Sequence, residues 1–139
     1  MKGYNHDLLK AVTVSDVVNL SLRCHPEVLF GYSSSHVELI LRVENNTLHP
    51  LWAEADVNVP EHISLAPGAP LKKGRVRVGI IGKKEFLEKS VRVYSTTLTS
   101  PQIYRCNITL YVFNKDGVID TRLEKPVDIR CEIKKEASL

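Results

Sequence analysis

No apolar run in the chain approaches the ~20 residues that a membrane-spanning helix requires, and the first residues, Met1 to Asp7, lack the hydrophobic stretch of a secretory signal. The expectation is a cytoplasmic protein with no membrane partner. Cysteine is scarce, with only Cys24, Cys106 and Cys131 present. An odd number without a secretion signal argues against a disulfide framework, and no C-x-x-C pair is available for zinc. The five histidines, His6, His25, His36, His49 and His62, form no H-x-H or H-x-x-x-H pair, so ligand spacing for a metal is missing. No glycine-rich loop opens a helix, which removes the common phosphate cradles. Ser33-Ser34-Ser35 lies beside His36 but has no G-x-S-x-G frame. These absences point to a protein that is not an enzyme. It is expected to have no catalytic residues, no metal site, no cofactor and no small-molecule substrate. The three N-x-S/T sequons at Asn19, Asn45 and Asn107 read as chance matches, since the motif is short.

What the chain does have is apolar/polar alternation with a period of two, the mark of half-buried β-strands. Val37, Leu39, Leu41 and Val43 alternate with Glu38, Arg42 and Glu44, with Ile40 as an apolar exception on the polar phase. Leu51, Ala53, Ala55, Val57 and Val59 alternate with Trp52, Glu54, Asp56 and Asn58. Val76, Val78 and Ile80 are expected inward, with Arg75 and Arg77 outward. Leu87, Val91 and Val93 face Glu88, Ser90 and Arg92, while Lys89 falls on the inward phase and is expected near a strand end or an edge. Further runs place Cys106, Ile108, Leu110 and Val112 inward, then Val127, Ile129, Cys131 and Ile133, and near the start Val18, Leu20, Leu22 and Cys24. All three cysteines thus occupy core phases, where free thiols usually pack.

Turn chemistry separates these runs. Asn114-Lys115-Asp116-Gly117 supplies the positive φ of a hairpin turn. Asn45-Asn46-Thr47 with His49-Pro50, Pro67-Gly68-Ala69-Pro70, and Gly82-Lys83-Lys84 mark other connections, and Pro60 closes a strand. The best helix candidate, Asp7 to Val14, ends in Val12-Thr13-Val14, which favours strand. The reading is one all-β domain spanning residues 1–139, a two-sheet immunoglobulin-like sandwich of seven to nine strands, with residues 1–6 and 134–139 as frayed ends.

One segment carries a family likeness. Val37-Glu-Leu-Ile-Leu-Arg-Val-Glu-Asn-Asn-Thr, then Leu51-Trp-Ala-Glu-Ala-Asp-Val-Asn-Val-Pro and Ile63-Ser-Leu, resembles the early strands of CARDB-type immunoglobulin-like domains over about 30 residues. The resemblance implies the fold and a non-enzymatic role in adhesion, scaffolding or as an accessory module. It carries over no site residues.

Charge is unevenly spread. Residues 1–70 hold four Lys/Arg against eight Asp/Glu, whereas residues 71–139 hold fifteen against eight. Lys72, Lys73, Arg75, Arg77, Lys83, Lys84 and Arg92 form the densest basic stretch. If the two strands that carry them pair, Arg77 and Arg92 share an outer surface that could meet nucleic-acid phosphates or an acidic protein. Ile40, Trp52, Tyr111 and Phe113 fall on polar phases and would make an outward apolar patch if their strands share a sheet, unless residues 1–16 cover it. The functional expectation is a protein-interaction or scaffolding module that docks a protein partner or a second copy of itself, with a nucleic-acid-binding β-domain as the alternative.

Overall fold

The computed structural model describes residues 13–14 and 17–135. The alternating runs become the strands β1 (Thr13–Val14), β2 (Val18–His25), β3 (Val28–Phe30), β4 (Ser35–Asn45), β5 (Leu51–Asn58), β6 (Ile63–Ser64), β7 (Lys73–Ile81), β8 (Phe86–Ser95), β9 (Ile103–Phe113) and β10 (Ile119–Glu132). Two of these ten are two residues long, so the eight longer strands fall within the expected range. Of the helix candidate Asp7 to Val14, Thr13–Val14 is strand; Leu8, Leu9 and Val12 lie outside the described residues, as do residues 1–6 and 136–139.

The strands form two five-stranded sheets, ordered β1-β2-β4-β8-β6 and β3-β10-β9-β5-β7. In the lettering used for immunoglobulin-like sandwiches, β2, β4, β8 and β6 take the places of A, B, E and D. β10, β9 and β5 take those of G, F and C, with β7 added beyond C. Inward side chains of both sheets interdigitate: Val37, Leu39, Leu41 and Val43 from β4 meet Ala53, Ala55 and Val57 from β5 and Cys106, Ile108, Leu110 and Val112 from β9, all fully buried. Each such Leu, Ile or Val stabilises by roughly 1.5–3 kcal/mol. Cys106 and Cys131 are buried, while Cys24 is only half-buried toward the open edge of β2, and all three are free thiols. Burial, with the neighbouring Cys24 and Asp128 adding to it, pushes the Cys106 thiol up to about 12.

Two corners lock this frame. The Tyr104 hydroxyl donates to the Ser100 carbonyl at 2.7 Å. Tyr104 stands two residues before Cys106, at the start of β9, the position of the tyrosine corner in this class of sandwich. At the opposite end, the Asn45 side chain is almost fully buried. Its Nδ2 lies 2.7 Å from the His49 carbonyl, 3.0 Å from that of Ile81 and 3.1 Å from that of Gly82, while its Oδ1 accepts from the Thr47 amide and hydroxyl. One amide thus ties the end of β4 in one sheet to the end of β7 in the other.

Strict alternation fails in β7. Ala53 faces Gly79, but the next residue on β5, Glu54, faces Arg77, so Val78 is an extra residue in the ladder. Gly79 takes φ +116°, open to glycine at little cost. The bulge leaves Arg75 and Arg77 outward, buries Val78, turns Ile80 out to 64% exposure and Ile81 in. The expectation that Ile80 lies inward is therefore corrected: alternation cannot carry through an added residue. Ile133 is also exposed, because β10 has already ended.

Among the described residues, no strand pairs with β10 before Arg130 or with β8 before Tyr94 on their outer sides. Both long open edges carry a lysine on the inward phase, Lys89 opposite Leu41 and Lys125 opposite Ile108. A lysine there keeps another strand from docking, because extending the sheet would bury its charge. On β10, the Cys131 amide turns to β9 and the Glu132 carbonyl to β3. Pro126, in phase with Glu132, therefore presents its nitrogen, without a hydrogen, to the open edge.

Two outcomes are expected. Asn45→Ala removes the amide shared by three carbonyls, of which only that of His49 keeps a second donor, the Thr47 hydroxyl at 3.0 Å, and should lower stability by about 3 kcal/mol, read as a shift in the urea midpoint. Lys89→Val combined with Lys125→Val should bring edge-to-edge association at a protein concentration at least about tenfold lower than the unchanged chain needs, read by light scattering.

Candidate functional site

The outer face of the β3-β10-β9-β5-β7 sheet is laid out in rows by the register of its strands. Ile119 pairs with Phe113, Phe113 with Trp52 and Trp52 with Ile80, which makes one apolar row across four strands. The next row runs Arg122, Tyr111, Glu54, Arg77, and the one after it Glu124, Thr109, Asp56, Arg75. Side chains directly opposite on one face have Cβ atoms about 5 Å apart, so each row is a contact line.

The first row is a site of ligand size. Trp52, Ile80 and Phe113, with Pro50 and the hairpin residues Asn114 and Lys115, enclose an open depression of about 510 Å³. That lies within the range of small-ligand or side-chain pockets, which are mostly apolar with few polar groups. Its walls come from three connections: the His49-Pro50 turn, the bulged end of β7, and the β9–β10 hairpin. Asn114 shapes that hairpin by accepting from the Asp116 and Val118 amides at 2.9 and 3.2 Å, with Gly117 at φ +76°.

The second and third rows hold the tryptophan in place. The Trp52 indole N–H donates to Glu54 Oε2 at 2.8 Å. Arg75 donates to the other Glu54 oxygen at 3.0 Å and grips Asp56 with two bonds of 2.7 and 3.1 Å. The guanidinium of Arg75 lies 5.2 Å from the Tyr111 ring centre, and that of Arg122 lies 6.0 Å from it. The Trp52 hydrogen bond, with Arg75 and the charge of Arg77, holds the Glu54 carboxyl below its ordinary range. Arg75 does the same for Asp56. Both Glu54 oxygens are occupied, so this carboxylate positions side chains and is not free to bind a cation.

Trp52, Tyr111 and Phe113 do share one face. Ile40 does not: β4 belongs to the other sheet, where Ile40 stands half-buried between Arg23 and Ser90. Nor do Arg77 and Arg92 share a surface, because β7 and β8 lie in different sheets, and Arg92 faces Glu38 at 3.9 Å on the opposite side of the molecule. The basic stretch is thus divided. Lys73, Arg75 and Arg77 lie on the tryptophan face, Lys72 pairs with Glu61, and Lys83 and Lys84 sit in the β7–β8 turn, where the Lys84 amine reaches the Asn46 carbonyl at 2.8 Å. Among the described residues the Arg77 side chain makes no hydrogen bond and no ion pair within 4 Å, although its charge acts on Glu54. Sequence reasoning missed Ile80 and Pro50 as neighbours of Trp52, and Ile119 as the neighbour of Phe113 in the same row. Gly79 in the middle of a strand was the available signal, since a glycine there often marks a bulge.

No family model and no curated protein matches the chain. Among solved structures it is similar to a FixG-related protein from Vibrio parahaemolyticus, with 14% identity over 84% of this chain and 98% of that one and a TM-score of 0.50. It is also similar to a CARDB domain from Pyrococcus furiosus solved with di-metal ions, with 19% identity over 88% of this chain and 100% of that one and a TM-score of 0.48. At such identities the likeness is one of fold. In this chain no group of three His, Cys, Asp or Glu among the described residues is placed to hold a metal.

The depressed Glu54 carboxyl makes a pH prediction. Its stabilising bond to Trp52 is fully present above the unfolded value of about 4.3 and is lost as pH falls through the lower folded value. Trp52 is the sole tryptophan. Its emission should therefore stay constant from neutral pH down to about 4.3 and change only below that, with Glu54→Gln removing the step and Arg75→Gln moving it upward.

Proposed function

We propose that this chain is a non-enzymatic binding module and that the outer face of the β10-β9-β5-β7 strands receives a protein partner. The observation that carries this reading is the row Phe113-Trp52-Ile80 around an open depression, half-buried at Phe113 and Trp52 and exposed at Ile80, beside side chains that are already locked by ion pairs. Tryptophan, tyrosine and arginine are the residues that most often anchor protein interfaces. Here they are held in fixed positions, so little conformational freedom remains to be lost on docking. The protected edges of β8 and β10 support a face-on contact in preference to strand addition. The three free thiols are consistent with a reducing, cytoplasmic setting.

The nucleic-acid reading draws less support. Of the seven cations in the basic stretch, only Lys73, Arg75 and Arg77 share a face, and Arg75 is engaged by two carboxylates.

Affinity purification from the source cells, compared across two charge insertions, tests the proposal. Ile80→Glu should weaken a captured protein partner about 30-fold, roughly 2 kcal/mol, while Arg92→Glu on the opposite face leaves it bound. Both variants should unfold at the temperature of the unchanged chain. A partner indifferent to Ile80→Glu and lost with Arg92→Glu would overturn the reading. An oligonucleotide retained at low salt and released by Arg77→Glu would replace it with the alternative.

A further inference from the structure

The chemistry of the row next to the apolar one narrows the partner. Arg77 lies on the same outer face as Ile80, one row away, which along a strand is about 7 Å. Its cross-strand neighbour is Glu54, the carboxylate whose two oxygens are already taken by the Trp52 indole and by Arg75. The ladder that neutralises Arg75 therefore leaves Arg77 without a hydrogen-bonded counter-ion among the described residues. Lys115 adds a second exposed cation on the far wall of the depression. The apolar row thus has a cation on either side; the exposed Asp116 and Asp120 lie on the hairpin side with Lys115, so the cation without a neighbouring free anion is Arg77, whose row-mate Glu54 is already bound from within the chain.

From this juxtaposition we infer that the face takes an extended, acidic segment of a protein partner, with a large apolar side chain in the Trp52–Ile80–Phe113 depression and an Asp or Glu two residues away on Arg77. An extended peptide repeats its side chains on one face every two residues, again about 7 Å. The spacing of anchor and carboxylate on such a peptide therefore equals the spacing of the apolar row and the arginine row. A planar guanidinium suits this role because it can grip a carboxylate with two bonds. The inference rests on the reading of this face as a binding surface and adds the charge and spacing of what binds.

The test uses the full chain, immobilised, against a displayed library of random twelve-residue peptides, followed by titration of synthetic versions of the selected peptides with Trp52 emission as the readout. Selected peptides should share a large apolar residue with Asp or Glu two positions away, and their binding should shift the Trp52 emission. Arg77→Glu should weaken them about tenfold and Arg77→Lys much less. Selection on Arg77→Glu should return Lys or Arg in place of the acid. Peptides that bind through the depression, as shown by loss with Ile80→Glu, but carry no acidic preference would overturn this inference and leave the binding face intact. A library yielding nothing sensitive to Ile80→Glu would overturn both. Trp52 emission that changes with protein concentration alone would assign the face to a second copy of the chain and also overturn the inference.

Discussion

One buried side chain sets the position of the others at the site. Asn45 has no solvent to satisfy its amide, so its hydrogen bonds must all be made inside the protein, and those of its nitrogen fix backbone carbonyls. Those carbonyls belong to His49, Ile81 and Gly82. The first lies in the turn that forms one wall of the depression, and the second follows directly on Ile80, which forms another. The same amide joins the two sheets where the depression lies. A valine or leucine of similar size would fill the space and take the side-chain donor away from the Ile81 and Gly82 carbonyls. The site is therefore as rigid as this polar knot, although Asn45 itself is not part of it.

The exposed ion pairs of the tryptophan face have a different job. Surface salt bridges contribute little to stability, typically under about 1 kcal/mol. Arg75, Glu54 and Asp56 matter because they leave Trp52 and Tyr111 little choice of orientation. The open edges are treated in the opposite way. Lys89 and Lys125 stand on the inward phase of strands that, among the described residues, have no outer neighbour for most of their length; the Lys125 amine reaches the Leu20 carbonyl at 3.3 Å, and both charges resist being covered by a further strand. One surface presents fixed aromatic rings while the other exposed backbone is shielded by charge.

Much of the fold was legible because alternation is local. Val37 to Val43, Leu51 to Val57 and Cys106 to Val112 each declare which side is inward, and the structure agrees residue by residue. The site was half legible. Trp52, Tyr111 and Phe113 stand out as aromatic residues on polar phases. Whether Ile40 or Ile80 joins them depends on which sheet each strand enters and on the residue count within β7. Neither is encoded by a period of two. Successive strands β4 and β5 part into different sheets, as do β7 and β8, and a local pattern does not show such a crossover. Tyr104 and Asn45 were hidden for a related reason: each acts through carbonyls whose positions only the folded chain brings together.

The extra residue at Val78 has an evolutionary consequence. Removing the codon for Val78 would restore the plain alternation of β7 and still leave the isoleucine outward beside Trp52, because the extra residue has no partner on β5. A lineage could thus lose or regain the bulge by insertion or deletion while keeping the apolar row, with no change in the identity of any side chain that lines it. Comparing relatives position by position would miss such a change, whereas counting residues between Arg75 and the Gly82 turn would reveal it.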